Sequence, residues 1–168
     1  MASVEEMFRR HHLSLFRFLR RMTGSAEQAE DLTQETFLRL VRSPAAADRE
    51  TNEPALLFQI ARNLLLNLRR DEGRKRLTGS PEELPTAAPR QAEAVDLNQA
   101  LGGLQKTDRE IFLMRELGGL TYEEIARVRS ITPDAVRSRI YRARTALRAA
   151  LSESPHRRWK DSSEEARP

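Results

Sequence analysis

Hydrophobic residues in the first half of the chain recur every three or four positions, which is the spacing of one face of an α-helix. Three segments carry such a stripe: residues 4–22, 25–43 and 54–72. We therefore expect three amphipathic helices that pack their apolar faces together. The residues expected in this core are Met7, Phe8, Leu15, Phe16, Leu19, Met22, Ala29, Leu32, Phe37, Leu40, Val41, Leu57, Ile60, Ala61, Leu64, Leu65 and Leu68.

Capping residues and prolines mark where these helices begin and end. Ser25, followed by Gln28 at capping-box spacing, predicts the start of the second helix. Pro44 ends that helix, so residues 43–53 are expected to form a loop. Pro54 suits the first turn of the third helix, because proline lacks the N–H group that the first turn leaves unpaired.

The helical pattern stops at residues 77–94, where Pro81, Pro85 and Pro89 occur at even spacing. Such a composition is typical of a semi-stiff linker. At about 3.3 Å per extended residue, this segment could reach roughly 60 Å. Two modules joined by it could therefore contact two well-separated sites on one partner.

Four further helices are predicted after the linker, at residues 95–104, 107–117, 121–129 and 133–151. Thr107 precedes Glu110 at the spacing of a capping box. Thr121 precedes Glu124 in the same way. Gly118 and the glycine after it end one helix and open the turn to the next.

The last two of these helices have the pattern of a helix-turn-helix: a short helix, a turn of about four residues and a longer helix. Thr132 is an expected N-cap, and Pro133 follows it at the first helical position. On the longer helix, apolar residues at helical spacing predict the buried face. They are Val136, Ile140, Ala143 and Leu147.

The composition supports an all-α fold. The chain has 168 residues, of which 39% are hydrophobic, 32% charged and only 5% aromatic. Leu, Ala, Glu and Arg outnumber the β-branched residues, which favours helices over sheets. We therefore predict two small helical domains joined by a flexible linker, the second containing the helix-turn-helix. The expected boundaries are 1–76, a linker at 77–94, 95–152, and a tail at 153–168.

Several classes of protein are disfavoured by what the sequence contains. It has no cysteine, and its three histidines are too few and wrongly spaced for a metal site. No apolar run approaches the ~18 residues that span a bilayer, and the N-terminus lacks the apolar region of a signal peptide. The expectation is a cytoplasmic protein with no membrane insertion, no cofactor and no metal.

Basic residues are concentrated on the outer face of the longer helix of the helix-turn-helix. Five arginines lie between Arg137 and Arg148, while no Asp or Glu occurs between Asp134 and Glu153. Ion pairs with acids of the same helix are therefore not expected, which disfavours a merely solvated surface. Arginine can bind guanine or phosphate through two parallel hydrogen bonds, so this face is predicted to contact DNA.

A second basic surface lies on residues 62–76. Basic residues near a helix C-terminus also interact well with the helix dipole, so the charge alone leaves both interpretations open. Asn63 and Asn67 are more informative, because exposed amides can read base edges or hold an unstacked base.

Three separated segments resemble the extracytoplasmic-function (ECF) subfamily of bacterial sigma-70 factors. The segment AEDLTQETFLRL at 29–40 is similar to the region that binds core RNA polymerase, and LLFQIARNLLLNLRR at 56–70 to the helix that melts and reads the −10 element. Residues 107–148 resemble the domain that reads the −35 element. The resemblance covers residues 4–151 in the family's order, with a linker where the family has one.

The resemblance assigns roles to individual residues. For the −35 element it implies Arg137, Ser138, Tyr141 and Arg142, with Arg139 and Arg144 on phosphates. For the −10 element it implies Arg62, Asn63, Asn67, Arg69 and Arg70, with Asn63 at the position that captures a flipped base. For core polymerase it implies Asp31, Gln34, Glu35 and Leu38.

The function implied by the resemblance is that of an alternative sigma factor. Such a protein is not an enzyme and has no small-molecule substrate. It binds core RNA polymerase, directs it to −10/−35 promoters and assists melting, so its partners include double-stranded and melted promoter DNA. The family also implies an anti-sigma factor that masks these surfaces.

Some positions depart from the family pattern. Leu56 and its neighbours stand where a tryptophan is usual, and Gln105 replaces a common proline. Arg129 and Ser130 replace a leucine–glycine pair in the turn of the helix-turn-helix. We expect an altered turn there without a change of fold.

Two other functions are compatible with parts of the pattern. A stand-alone dimeric helix-turn-helix regulator would use the same arginine-rich helix, but residues 1–76 offer neither a ligand pocket nor a phosphoacceptor setting. An enzyme could use Asp31 and Glu35 as metal ligands, but two carboxylates without further ligands make a weak site.

Overall fold

The computed structural model describes residues 4–43, 53–77 and 92–153. These residues form seven α-helices and, within the described ranges, no strand, so the all-α prediction is confirmed. Most of the predicted loop at 43–53, of the predicted linker at 77–94 and of the predicted tail at 153–168 lies outside these ranges. The helices are α1 (Val4–Thr23), α2 (Ala26–Arg42), α3 (Glu53–Leu77), α4 (Ala92–Gly102), α5 (Lys106–Glu116), α6 (Tyr122–Arg129) and α7 (Pro133–Ser152).

Helices α1, α2 and α3 pack into one unit around a core of leucines and phenylalanines. Leu15, Phe18 and Leu19 of α1 are fully buried. The Phe18 ring meets that of Phe58 edge-on, with 5.1 Å between ring centroids. Removing each such side chain from water contributes about 1.5–3 kcal/mol, so this cluster dominates the stability of the unit.

The predicted core of this unit is mostly buried, with two clear exceptions. Phe8 and Val41 are 43% and 57% exposed. Phe8 nevertheless lies edge-on to Phe37, with 4.9 Å between ring centroids. The sequence pattern missed Phe18 and Phe58, because α1 and α3 are buried over a wider arc than a single stripe.

Helices α4 to α7 form the second unit, in which α7 is the central element. Its predicted stripe is buried: Val136, Ile140, Ala143 and Leu147 are at most 6% exposed. Helix α7 packs against α4, α5 and α6. Helices α6 and α7 are the predicted helix-turn-helix.

The turn between α6 and α7 depends on a left-handed residue. Ser130 has φ 53° and ψ 47°, and its N–H bonds back to the Arg127 carbonyl oxygen at 3.2 Å. This is the position where a glycine is usual, and a non-glycine residue pays a steric penalty there. The substitution is accommodated without a change of fold, as expected.

Three of the predicted N-caps are confirmed and one is wrong. Thr121 and Glu124 form a reciprocal capping box, and the Ser25 and Thr132 hydroxyls accept from Gln28 N and Ala135 N. The predicted box at Thr107 does not form. Helix α5 begins one residue earlier, after Gln105, which makes no side-chain cap. The Glu110 side chain is instead buried in an ion pair.

The ends of two helices differ from the prediction. Helix α3 continues to Leu77, beyond the predicted end at residue 72, and α4 begins at Ala92, inside the predicted linker at 77–94. Arginine and lysine, which make up most of residues 73–77, propagate a helix well, so the polar end of α3 remains helical although its apolar stripe has ended.

The two units are in direct contact. Helix α3 packs against α6, and α1 against α5. Arg21 of α1 donates a hydrogen bond to Asn98 of α4. Gly118, in the turn after α5, lies against the Phe58 ring of α3: a Cβ at Gly118 would be 2.6 Å from Phe58 Cζ. The buried side chains of both units therefore form one continuous core.

Replacing Gly118 by alanine should destabilise the protein. The added Cβ would lie 2.6 Å from both the Met114 carbonyl oxygen and Phe58 Cζ, and 2.8 Å from Leu120 Cδ1. Overpacking of this kind costs about 1–3 kcal/mol, which urea unfolding can measure.

The matched control is Gly73→Ala, in helix α3, where the added Cβ meets nothing within 4 Å. This variant should gain up to about 1 kcal/mol, because alanine is the better helix former. Equal stability of Gly118→Ala and the parent chain would contradict the close packing at the Gly118 turn.

Candidate nucleic-acid interface

The outer face of α7 presents the residues predicted to read DNA. Val136 and Ile140 face the core, and the other side of the helix is exposed. Arg137, Ser138 and Arg142 are exposed, and Tyr141 is 71% exposed. The structure thus brings these four side chains onto one exposed helix face. Arg139 lies at its edge and is half-buried.

The arginines of this face are nevertheless paired with carboxylates. Arg137 Nη1 lies 2.8 Å from Asp134 Oδ1 in the first turn of α7. The expectation that no pair forms within the helix is therefore wrong for Arg137, because Asp134 lies three residues before it. Arg144 binds Glu116 of α5 at 2.7 Å, a hydrogen bond that raises the pKa of Arg144 above its ordinary value.

A buried aspartate holds the other two arginines of the face. Asp108, in the first turn of α5, has a side chain only 9% exposed. Its Oδ1 lies 2.8 Å from Arg139 Nη1 and 3.4 Å from Arg142 Nη2. The Arg142 side chain is 58% exposed, so a weak contact to Asp108 leaves most of its guanidinium free to reach outward.

Tyr122 supports the start of α7 from the neighbouring helix. The guanidinium of Arg115 lies 5.4 Å from the centre of its ring, and that of Arg137 lies 5.9 Å from it. Arg115 is fixed by a 2.8 Å hydrogen bond to the Leu120 carbonyl oxygen. A cation over an aromatic face gains about 0.5–1 kcal/mol at an exposed site, so Tyr122 helps to orient Arg137.

The second predicted surface lies on α3. Asn63, Asn67 and Arg70 are exposed on its outer side. Arg69 is partly buried and donates to the Met22 carbonyl oxygen at 3.4 Å. Three of the five predicted −10 residues are therefore free to meet a nucleic acid in this structure, and two are held by the protein.

Arg62, the fifth residue of this set, reaches the second unit. Its Nε lies 2.9 Å from Glu110 Oε1 on α5, and the other carboxylate oxygen lies 2.7 Å from Arg129 Nη1. The Arg62 N–H does not point at the carboxylate, so this contact is an ion pair without a hydrogen bond. The predicted −10 surface thus adjoins the helix-turn-helix unit.

Arg129 and Arg109 lie in the same boundary and are also partly buried. Burial lowers the pKa of Arg129, and Glu110 partly opposes that shift. Burial and the nearby charge of Arg69 lower the pKa of Arg109. Arginine is so strongly basic that both side chains remain cations at neutral pH.

Sequence reasoning missed the roles of the two buried acids of α5, Asp108 and Glu110. The spacing of Glu110 from Thr107 predicts a capping box, not an ion pair. Asp108 carried no signal of its own, because its partners lie 31 and 34 residues further along the chain. The sequence indicated Arg129 only as a departure from the family pattern and did not predict its ion pair with Glu110.

The predicted polymerase-binding residues share the outer side of α2. Asp31 and Gln34 are exposed, and Leu38 is 49% exposed. Glu35 forms a 2.7 Å ion pair with Arg39 one turn later. Together with exposed Val41, Leu38 gives this helix an apolar patch next to its acids.

Neither a metal centre nor a membrane span is found in the described part of the chain. No group of three or more His, Cys, Asp or Glu side chains in it is arranged to hold a metal ion. None of its helices is long and apolar enough to cross a bilayer.

Family models match both units of the chain. Residues 7–75 match sigma-70 region 2, and residues 94–147 match sigma-70 region 4. Similar proteins include the ECF RNA polymerase sigma factor SigL of Mycobacterium tuberculosis, 32% identical, with 90% of each chain covered. SigE of Mycolicibacterium smegmatis is 35% identical; the match covers 90% of this chain but 63% of that protein.

Two solved structures share the fold. The sigma factor RpoE of Bartonella quintana, in complex with the anti-sigma factor NepR, has a TM-score of 0.75 and 25% identity, covering 89% of this chain and 97% of that one. CnrH, in complex with the cytosolic domain of CnrY, has a TM-score of 0.69 and 26% identity, covering 90% and 89%. Both family regions occur here in one chain and in the same order, so this protein belongs to the ECF RNA polymerase sigma factors of the sigma-70 family.

Proposed function

We propose that the chain binds core RNA polymerase, directs it to −10/−35 promoters and assists promoter melting. The observation that carries the proposal is that one chain holds both family regions, each with an exposed face of arginine or amide side chains. The protein acts as a regulatory subunit, not as an enzyme. Its place of action is the cytoplasm, where polymerase and promoter DNA are found.

Recognition of the −35 element is assigned to the exposed face of α7. A helix in the major groove reads base edges with its N-terminal residues, which here are Arg137, Ser138, Tyr141 and Arg142. Arg139 and Arg144 lie at the flank and suit phosphate contacts. Glu116 is exposed, so a DNA phosphate can replace it as the partner of Arg144, because exposed ion pairs contribute only about 0–1 kcal/mol. Buried Asp108 needs a partner and retains Arg139 when Arg142 turns to DNA.

Melting of the −10 element is assigned to α3. Unstacking costs a few kcal/mol per base, so opening needs a site that traps an extruded base. Asn63 and Asn67, one helical turn apart and both exposed, can hydrogen-bond base edges. The positive charges of Arg62, Arg69 and Arg70 can bind the phosphates of the separated DNA strand.

The outer side of α2 is assigned to core polymerase. Asp31, Gln34, Glu35 and Leu38 combine charge with an exposed apolar side chain, the usual content of a specific protein interface. The similarity to RpoE, solved in complex with the anti-sigma factor NepR, supports an anti-sigma factor as a further partner. We assign no small-molecule substrate and no cofactor to this chain.

A dimeric helix-turn-helix regulator remains the alternative candidate. The presence of a region 2 match at residues 7–75 argues against it, because a regulator has no use for a polymerase-docking and melting module. A stable dimer that binds a palindrome without polymerase would favour the regulator.

The first test is capture of purified core polymerase by the tagged chain, followed by run-off transcription on genomic fragments. Stable capture and transcripts that share one two-part upstream motif are expected.

Leu38→Glu should abolish capture, because it places a charge in the apolar part of the α2 face. Leu13→Glu is a matched control, since both leucines are 49% exposed and Leu13 lies on α1. Equal loss in both variants would disprove the assignment of the α2 face.

Arg142→Ala should weaken binding of the holoenzyme to its promoter by about 1–3 kcal/mol, the value of a bidentate base contact. The loss should disappear on a template whose −35 element has been scrambled. Arg148→Ala is the control: the residue is exposed on the same helix but outside the assigned face. A loss of equal size on both templates would place Arg142 on phosphates only.

Asn63→Ala should reduce transcription from a duplex promoter, because the trap for an extruded base is lost. The defect should shrink on a template with a pre-opened −10 region, since the unstacking cost is then already met. Leu66→Ala, on the same helix and 38% exposed, is the control with no polar group to lose. Equal defects on both templates would argue for a role in binding without a role in opening.

A further inference from the structure

Asp108 links helix α5 to the DNA-facing side of α7. It lies in the first turn of α5, near the positive end of the helix dipole, and its side chain is 9% exposed. Its Oδ1 accepts a hydrogen bond from Arg139 at 2.8 Å and a longer one from Arg142 at 3.4 Å. A buried carboxylate therefore lies directly behind two neighbouring arginines of the face assigned to the −35 element.

Asp108 holds these two arginines unequally. Arg139 donates the shorter hydrogen bond, and its side chain is 32% exposed, whereas that of Arg142 is 58% exposed. A buried carboxylate that loses every partner is an uncompensated charge, so Asp108 must keep one arginine. The shorter bond and the deeper burial make Arg139 that partner. Arg142 keeps most of its N–H donors for a ligand outside the protein.

The negative charge of Asp108 affects which ligand Arg142 binds. A phosphate on the outer edge of the Arg142 guanidinium would lie within the Debye length, about 8 Å, of the Asp108 carboxylate. Two anions this close repel each other, which weakens the phosphate contact. The O6 and N7 atoms of guanine are neutral acceptors, so the carboxylate repels them much less. Asp108 therefore disfavours phosphates relative to base edges as ligands of Arg142.

Arg144, on the flank of the same face, has a different kind of partner. Its carboxylate, Glu116 of α5, lies 2.7 Å away and is itself 41% exposed. Because an exposed pair contributes little, Glu116 can turn into solvent when a phosphate takes its place. Helix α5 thus gives Arg142 a fixed negative charge and Arg144 a replaceable one.

We propose that Asp108 is a specificity-determining residue of the −35 surface, which directs Arg142 to base edges and reduces its binding to phosphates. Asp108 is a positioning residue, because it acts through Arg139 and Arg142 without touching DNA. A repulsive element of this kind improves discrimination between sequences without adding a contact. The role rests on the proposed function, since it requires that the α7 face reads the −35 element.

The first test compares holoenzymes formed with the parent chain and with Asp108→Asn. Binding is measured on the promoter found by run-off transcription and on the same fragment with a scrambled −35 element. Asp108→Asn should bind the scrambled template more tightly, and the slope of log affinity against log salt should steepen by about 0.9, the value of one more phosphate contact. The ratio of affinities for the two templates should fall about threefold, part of the discrimination that one bidentate base contact supplies.

Glu116→Gln is the matched control on the same helix, because it removes the acid that pairs with Arg144. Freeing Arg144 adds a phosphate contact on either template, so both affinities should rise equally and their ratio should stay at the parent value. An unchanged ratio in Asp108→Asn, or an equal fall in both variants, would overturn the role of Asp108.

A second variant separates this role from damage to the fold. Arg139→Ala leaves Asp108 with Arg142 as its partner, so the carboxylate should hold Arg142 back from DNA. Binding should weaken on both templates, and more on the intact promoter, whereas Asp108→Asn strengthens binding to the scrambled one. Equal weakening on both templates, which the loss of a phosphate contact alone produces, would overturn the proposal. Circular dichroism and urea unfolding of the free chains check that both variants fold.

The contact itself is measured in the free chain, without DNA or polymerase. Nitrogen-15 relaxation of the arginine Nε–H groups should show that Arg139 is more rigid than Arg148, an exposed residue of the same helix. Asp108→Asn should make Arg139 mobile, and equal rigidity in the two chains would overturn the positioning contact. A parent holoenzyme without preference for the intact −35 element would instead reject the proposed function and the specificity role with it, so the two failures are distinguishable.

Discussion

Two buried carboxylates on one helix organise the charge of this protein. Glu110 binds Arg62 and Arg129, and Asp108 binds Arg139 and Arg142, so four arginines from three helices converge on α5. A carboxylate with a side chain less than 10% exposed is stable only when paired. The arginines that are assigned to DNA therefore also help to hold the protein together.

This double use has a physical consequence for promoter binding. Arginines with internal partners must exchange a carboxylate for a phosphate. The cost of breaking the internal ion pair therefore offsets part of the free energy gained from each DNA contact. The exchange is easiest for exposed Arg137 and Arg142 and hardest for Arg62 at the boundary of the two units. Salt also screens the exposed pairs of Arg137 and Arg142 more than the largely buried pair of Arg62.

Much of the fold followed from local patterns. The α7 stripe, the capping box at Thr121 and the N-cap at Thr132 were predictable, because each depends on residues within one or two helical turns. Thr107 and Glu110 had the same spacing as Thr121 and Glu124, yet only the second pair forms a capping box. Glu110 instead forms ion pairs with arginines of α3 and of the end of α6. No local sequence pattern contains these partners.

The sequence by itself determined the seven helices, the outward position of Arg137, Ser138, Tyr141 and Arg142, and the family to which the chain belongs. Helical periodicity and short motifs encode these features, because they need only neighbouring residues. Only the tertiary structure decided which carboxylates neutralise the arginines and that α3 packs against the helix-turn-helix unit. Those contacts join residues far apart in the chain, and their partners are chosen by burial and charge after the helices have formed.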